Sequence, residues 1–538
     1  MYVAIRGVLC LLAFWLSLGC SEEGNTLHTI FVDETAAPGG DGSEEKPLTS
    51  VGEALTVVPE NGLIYVAAGT YRVPNEWMFA TPVRIFGALE APTVFLADSG
   101  ETLSWQSSEN HQLTIRDIAF QSAFHVRSTT LELRNVSVTG IGPALSLIDA
   151  DASMLQVDIR VSRAADSGDY ADDAFLVQDS TLEWTEGRAL DAPDRGIIID
   201  GSAVSLTAVA LSSGARAAVH LVANSELTAS DLNIEDAGLG VFVQNSSLLL
   251  SESEIRRTEQ TSILGGTESV IRVEDTLFED SPGGSVATSL NATSLSLRGN
   301  TFRRAVADNC ITASAGSLLA EDNEIDTCAG SGISALGVDV EIRDNRIENI
   351  LPDLLIGIVA TGVSVTDATG TIESNTIKDT MDNGISVVDS VIVVDSNTIG
   401  PVNGSGISYV DGPATMSRFS NNMITEATGA GIIVLNASVD IEGNTIADTK
   451  LSSETSFGDG IVFGSAANVT VIGNGITGSV RSGVLFFDGA LGVVRDNSAS
   501  SNGQYGISEL CIGDANQVVV GPNTLTGNSA GAAQLCTM

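Results

Sequence analysis

Aromatic side chains are scarce here: Phe, Tyr and Trp make up 5% of 538 residues. A single thick core normally draws on aromatics to fill it. With 43% hydrophobic residues and 55 Gly, the chain suits many thin, repeated layers instead. Basic residues are also few. There are 25 Lys and Arg against 68 Asp and Glu, a formal charge of −43, and the lysines are Lys46, Lys378 and Lys450 alone. Nucleic acid and anionic lipid are bound by clustered Lys and Arg, so neither is expected as a partner. The charge is compatible with Ca²⁺ or salt-rich surroundings, and equally with a plain solvated acidic coat. Histidine is limited to His28, His111, His125 and His220, with no spacing suited to a metal. No metal site is expected, and no cofactor other than Ca²⁺ held by acidic groups.

Residues 1–19 read as an export signal. Arg6 supplies the early positive charge, and Val8 to Leu18 is an apolar run too short to span a bilayer comfortably. Ser17-Leu18-Gly19-Cys20 closes it and resembles the lipobox of bacterial lipoproteins. Ser17 stands where an aliphatic residue is usual, which leaves an ordinary cleaved signal peptide as the alternative. The resemblance implies lipidation of Cys20, a tether over residues 20–28, and membrane attachment through the lipid only. Ser21 after the cysteine is similar to the outer-membrane sorting pattern, so anchoring in the cell envelope, at the outer membrane, is the expectation. Export permits disulfides. Besides Cys10 and Cys20, the cysteines are Cys310, Cys328, Cys511 and Cys536, whose two local pairs favour two bridges over a metal site.

A short pattern recurs through the rest. Asn-x-apolar is followed, nine residues after the Asn, by Gly and an aliphatic: Asn375 leads to Gly384-Ile385, Asn397 to Gly406-Ile407, Asn422 to Gly431-Ile432 and Asn474 to Gly483-Val484. Traced backwards, the small residue runs Ala123, Ala144, Ala174, Gly196, Ala218, Gly240, Ser262, Ser285, Cys310, Gly332, Gly357, Gly384, Gly406, Gly431, Gly460, Gly483, Gly506 and Gly531. These eighteen marks span 408 residues in seventeen intervals averaging 24.0. Between them lie alternating β-branched stretches such as Val391 to Val394, broken by Gly, Asn and Asp, which argues short strands and not helices. Three strands and their turns consume one interval, so each copy is one coil of a parallel solenoid stacked at about 4.8 Å. Eighteen coils would make a rod of roughly 85 Å.

Asn300, Asn323, Asn345, Asn375, Asn397, Asn422, Asn444, Asn474, Asn497 and Asn523 occupy one lane in ten successive coils. Asn tolerates the left-handed backbone of a tight corner, and stacked amides bond down a rod. The lane resembles the asparagine ladder of the pectate-lyase-like right-handed β-helix superfamily. The segment from Phe31-Val32-Asp33 through Pro38 to Gly42, Lys46 to Leu55 and Asn61 to Tyr71 is similar to the start of many secreted β-helix proteins, where an amphipathic helix closes the first coil. Thr49 or Ser50 can cap such a helix, with Val51, Ala54, Leu55 and Val58 on one face. The resemblance implies an all-β, single-stranded right-handed parallel β-helix of about 18–20 coils, with cap and first coils over residues 29–100 and repeats over 101–538. At the far end Cys511 and Cys536 lie 25 residues apart in one register, within disulfide reach if stacked. Cys310 and Cys328 differ by four positions in register but fall at one corner.

The superfamily includes pectate and alginate lyases, polygalacturonases, pectin methylesterases, mannuronan epimerases and tailspike hydrolases. Asp172-Asp173 is present, but the Gly-His-Gly and Arg-Ile-Lys elements of polygalacturonases are not, nor is the Asp-Pro-His of the epimerases. The pectin methylesterase and pectate lyase runs are missing too, and the Met and His residues lack the clustering of copper-related relatives. One charged set stands out. Asp172, Asp194 and Arg216 sit two before the mark on three successive coils, Asp173 and Arg195 one before it, and His220 two after. A lyase could use carboxylates to hold Ca²⁺ against a uronate and Arg to draw the C5 proton; a surface lane of ion pairs is the alternative. The insertion from Ser162 to Asp173, with Arg163, Asp166, Asp169 and Tyr170, lies alongside, and a second insertion runs from Lys450 to Gly458 about twelve coils away. Leu176, Ile198, Phe242 and Leu264 form an outward apolar lane, either a binding surface or the floor under a loop. The leading expectation is a non-catalytic envelope rod for binding, display or spacing, with a polysaccharide or cell-surface partner. The alternative is a lyase or glycoside hydrolase acting on an acidic polysaccharide.

Overall fold

In the coil from Ile385 to Ile399, the alternating residues Ile385, Val387, Ile392, Val394 and Ile399 are all fully buried, and those between them face outward. Three strands carry them: Ile385–Val388, Val391–Asp395 and Thr398–Ile399. The chain turns at Asp389 (φ 45°) and Ser396 (φ 57°), residue types that enter the left-handed region at low cost. The next coil repeats this in parallel register, with Ile385 on Ile407 and Thr398 on Met423. Repetition of this unit in the computed structural model builds a right-handed parallel β-helix of about 19 turns. It describes residues 28–163, 172–212, 214, 216–288, 294–305, 307–352, 360–453 and 455–536. The signal segment, Cys20 and nearly all of the tether lie outside them.

One continuous hydrophobic cluster runs from Val32 to Ile507 along the axis. The few aromatics concentrate in its first coils, where Trp77, Trp105, Phe120 and Phe124 pack edge to face or stacked. Below them the helix Val51–Val57 closes the first coil. Ser50 caps it by accepting from Glu53 N, and Val51, Ala54 and Leu55 are buried against the strands Thr29–Val32, Gly62–Val66 and Gly69–Val73.

The recurring small residue has a steric cause. A Cβ on Gly406 would meet Ile424 Cγ2 at 2.4 Å and the carbonyl of Gly431, one coil on, at 2.6 Å. The backbone corner there approaches both the core and the neighbouring coil. The pairing corrects two marks: Gly332 lies beneath Gly362 and not Gly357, which is outside the described residues, and Gly506 lies beneath Ala532 and not Gly531.

The ten Asn form an unbroken ladder. Each Oδ1 accepts the backbone N–H of the Asn one coil earlier at 2.9–3.0 Å, from Asn300 on Asn323 to Asn497 on Asn523. The left-handed corner itself falls one residue earlier, at Asp322, Asp344, Ser374, Ser396, Asn421, Gly443, Gly473 and Asp496. The Asn is there for its amide, not its backbone. At another corner a serine ladder does the same work, from Ala150 N through Ser180, Ser202 and Ser225 to Ser246 Oγ.

Stacked acids on the outside are answered by arginines one coil away. Glu321 sits between Arg298 (3.0 Å) and Arg343 (2.7 Å), and Arg257 and Arg304 reach Asp236 (2.7 Å) and Asp280 (2.6 Å). Exposed pairs of this kind add little stability singly, but they remove like-charge repulsion down a lane. Two disulfides are present, Cys310–Cys328 with Cα atoms 5.6 Å apart and Cys511–Cys536 at 5.9 Å.

Candidate functional site

The corner cluster of Asp172 to His220 and an open groove across the strands that follow the next corner both gather polar chemistry. In the cluster, Asp194 N donates to Asp172 O at 2.9 Å and Arg216 N to Asp194 O at 2.9 Å, so these three stack on consecutive coils. Their side chains engage loosely. Arg216, with 65% of its side chain exposed, places Nε 3.6 Å from Asp194 Oδ1, and Asp172 is exposed.

The close contacts lie one residue further on, where the backbone turns inward. Arg195 donates from Nε to Asp173 Oδ1 at 2.8 Å and from Nη2 to Oδ2 at 3.1 Å, a two-pronged pair around a fully buried carboxylate. His220 Nδ1 lies 3.3 Å from Arg195 Nη1 and so accepts from it, which places the ring proton on Nε2, a buried atom with no partner among the described residues. The ring packs on Phe242 with centroids 5.0 Å apart. Burial pushes Asp173 up to about 6 although Arg195 opposes it. Burial, helped by Arg195 and Arg216, pulls His220 down to about 4. At neutral pH the set is therefore an ionised Asp173, a charged Arg195 and a neutral His220. Both carboxylate oxygens and the accepting imidazole nitrogen already face Arg195.

The position of Asp173 has a structural use elsewhere. In the same lane, Asn309, Asn383 and Asp459 each accept the backbone N–H of a serine one coil on, at 2.6, 2.8 and 2.8 Å. An acceptor at this corner ties neighbouring coils together, and Asp173 with Arg195 is the ionic version of that tie.

Of the insertion beside the cluster, residues 164–171, including Asp166, Asp169 and Tyr170, lie outside the described residues. Of the apolar lane, Leu176 (4% exposed) and Ile198 (1%) are covered, whereas Phe242 and Leu264 are half-buried. The second insertion folds onto the rod. Phe457 stacks on Phe487 with centroids 6.1 Å apart, beside a small buried cluster of Ala430, Ile433, Val462 and Leu485.

The groove was not singled out from the sequence. It has a volume of about 780 Å³ and crosses six successive strands, from Gln112–Arg116 to Glu226–Ser230. Its floor is the outward face of these strands, in the register Glu132, Ser153, Glu183, Ser205, Thr228. Asp151 and Glu226 lie in the neighbouring lane. Such positions read in sequence as an ordinary solvated face, and the parallel register of the stacked strands groups them.

Among the described residues, no three or more His, Cys, Asp or Glu are arranged to hold a metal, and no helix is long and apolar enough to cross a membrane. The coil geometry and the two ladders define a right-handed parallel β-solenoid. The chain belongs to the right-handed β-helix region family, which matches residues 217–392, 287–446 and 389–537. Among solved structures it is similar to a double mutant of the periplasmic alginate epimerase AlgG, at 9% identity over 62% of this chain and 77% of that one, with a TM-score of 0.34. Pectate lyase Pel9A aligns at 12% identity over 78% of each chain, TM-score 0.16. The catalytic unit of a GH87 alpha-1,3-glucanase from Streptomyces thermodiastaticus strain HF3-3 aligns at 14% identity over 94% of this chain and 71% of that one, TM-score 0.23. No curated protein matches the sequence.

Proposed function

We propose that this protein is a non-catalytic rod of the cell envelope, exported and held by a lipid on Cys20, that binds carbohydrate along its side. The reading is carried by the groove: a long, shallow surface of about 780 Å³ lined by carboxylates, hydroxyls and aliphatic side chains. Shallow mixed surfaces of this kind suit hydrated chains that make many weak contacts. The pairing within the corner cluster supports it further, because Asp173 and Arg195 neutralise each other and His220 Nδ1 is taken up by Arg195. The test is a glycan array probed with the purified mature chain, with and without Ca²⁺. Binding to a defined glycan is expected, and silence across neutral, acidic and amino-sugar polymers under both conditions would discard the proposal.

A polysaccharide lyase or hydrolase is the second reading. One observation favours it: Asp173 at about 6 and His220 at about 4 are displaced in opposite directions around one arginine, as acid–base groups in catalytic sites are. Release of unsaturated uronides from a polyuronate panel, abolished by Arg216→Ala, would replace the binding reading with this one.

A further inference from the structure

The two ends of the rod are finished differently. At the first coil the helix Val51–Val57 lies across the end, and its Val51, Ala54 and Leu55 are buried there. The last coil carries the strands Gln517–Val520, Thr524–Thr526 and Gly531–Gln534. Each pairs with the coil before it and with nothing else among the described residues. All three therefore present unpaired backbone groups at the end, the template on which a further strand adds. The ladders stop there too. Ala490, Asn497 and Asn502 give their N–H groups to the Oδ1 atoms of Asn516, Asn523 and Asn528, whose own N–H groups have no acceptor among the described residues.

The core also surfaces at this end. Val520 and Leu525 continue the lanes of Val494 and Ala499, which are fully buried, yet both are half-buried, and Ala533 beside the buried Ile507 is exposed. A recess of about 520 Å³ opens next to them, lined in part by Phe486, Ile512, Val518 and Leu535. Of the two carboxylates in its lining, Asp514 and Glu509, the second is already held by Asn516 Nδ2 at 3.0 Å and Cys536 N at 2.9 Å. Charge sets the end apart as well. Asp and Glu make up 68 of 538 residues, about one in eight, yet residues 511–536 hold Asp514 alone and no Lys or Arg. Rods of net charge −43 repel one another along their sides, and this end is where two can meet without stacking acid on acid.

These features select the occupant. A single peptide strand satisfies one edge but leaves two edges and the apolar centre uncovered. Another coil end presents three edges and an apolar centre in return, and the helix Val51–Val57 closes the opposite end of each copy to that role. We infer that two copies of this chain associate tail to tail through the coil 505–536, about a two-fold axis across the rod. The two-fold reverses strand direction, so the edges pair antiparallel, and the contact closes at two copies instead of growing into a fibre. The Cys511–Cys536 bridge holds the coil in shape for it.

The experiment is sedimentation equilibrium paired with small-angle X-ray scattering, on the full mature chain prepared without its lipid, in about 0.15 M salt, where distant surface charge is screened. An end this small should give a dimer with a Kd on the order of 10 µM, and the dimer should be about twice as long as the monomer. Leu525→Glu with Ala533→Glu sets charge in the centre of the end and should weaken association at least about tenfold. Leu249→Glu with Val393→Glu, exposed on the side of the rod, adds the same formal charge and should change nothing. A chain still monomeric about tenfold above the expected Kd, a dimer no longer than the monomer, assemblies beyond the dimer, or equal loss in the side variant would each overturn the inference. Thermal unfolding of the dilute monomers shows whether the end variant is folded; if it is not, the length of the unaltered chain's dimer decides alone.

Discussion

Asn397→Ala tests whether the ladder holds the rod or only decorates it. Asn397 is fully buried and its side chain makes five polar contacts, the two N–H groups of Nδ2 being shared among three acceptors. Its Oδ1 accepts from Asn375 N at 2.9 Å and Asn375 Nδ2 at 3.0 Å, and its Nδ2 donates to Ile372 O, Asp395 O and Asn422 Oδ1 at 2.9, 3.0 and 3.0 Å. Truncation strands the Asn375 N–H in a dry corner, which costs about 1–3 kcal/mol, and forfeits net bonding of about 1 kcal/mol more. The expected loss is therefore about 2–4 kcal/mol. Asn523→Ala, at the half-buried last rung, should cost about 1 kcal/mol because water can take over its bonds. Urea unfolding gives the totals. Because a solenoid's stability is a sum of neighbour terms, hydrogen exchange at the Asn375 amide is the sharper readout and should accelerate sharply. A loss below about 0.5 kcal/mol, with unchanged exchange at Asn375, would show that the ladder follows the fold instead of sustaining it.

Gly406→Ala forces a methyl against Ile424 and the Gly431 carbonyl, and should cost about 1–3 kcal/mol by thermal or urea unfolding; an unchanged midpoint would refute the steric origin of the mark. Mild reductant should open Cys511–Cys536, where Cys511 is exposed, and leave the fully buried Cys310–Cys328 intact. Mass spectrometry of alkylated peptides reads this directly, and the opposite order would contradict the burial. Asp173 and His220 should pull stability in opposite directions with pH. The carboxyl is raised from 3.8 to about 6, so its contribution favours folding below pH 4 and is lost as pH climbs through 6; the imidazole is lowered from 6.5 to about 4, so its contribution is lost as pH falls from 6.5 through 4. Relative to the unaltered chain, Asp173→Asn should therefore make stability rise more steeply from pH 4 to 6.5, and His220→Gln should make it fall. Parallel curves for all three would remove the assigned protonation states.

The β-helix was legible because its repeat is written in residues with few alternatives. Amides at one corner and a small residue at the next, often Gly where the neighbouring coil comes closest, recur visibly for that reason. The serine ladder was not, although Ser180, Ser202, Ser225 and Ser246 follow a turn-forming residue in each case; serine is too common on exposed turns for its recurrence to stand out. The misplaced mark has a similar cause. Gly357-Ile358 and Gly362-Val363 both fit the motif, and loop length, which strand alternation does not specify, decides between them. At the charged corner the lane is visible in the sequence, but not whether Asp172 and Asp194 or Asp173 and Arg195 turn inward. A shift of one residue exchanges outside for inside in extended chain, and only the folded corner shows which member turns in.

The stacking of coils also makes the rod a mechanical element. Each coil holds on average 24.0 residues in one strand spacing of height, and that much chain, drawn out, spans roughly 82 Å against about 4.8 Å when wound. Under axial tension, coils released from an end would lengthen the rod about seventeenfold per unit of height surrendered, with a rung of the Asn or Ser ladder to break at most steps. The pair Cys511–Cys536 staples the last of these coils to the one before it, so pulling from that end meets a covalent stop before it meets the ladder.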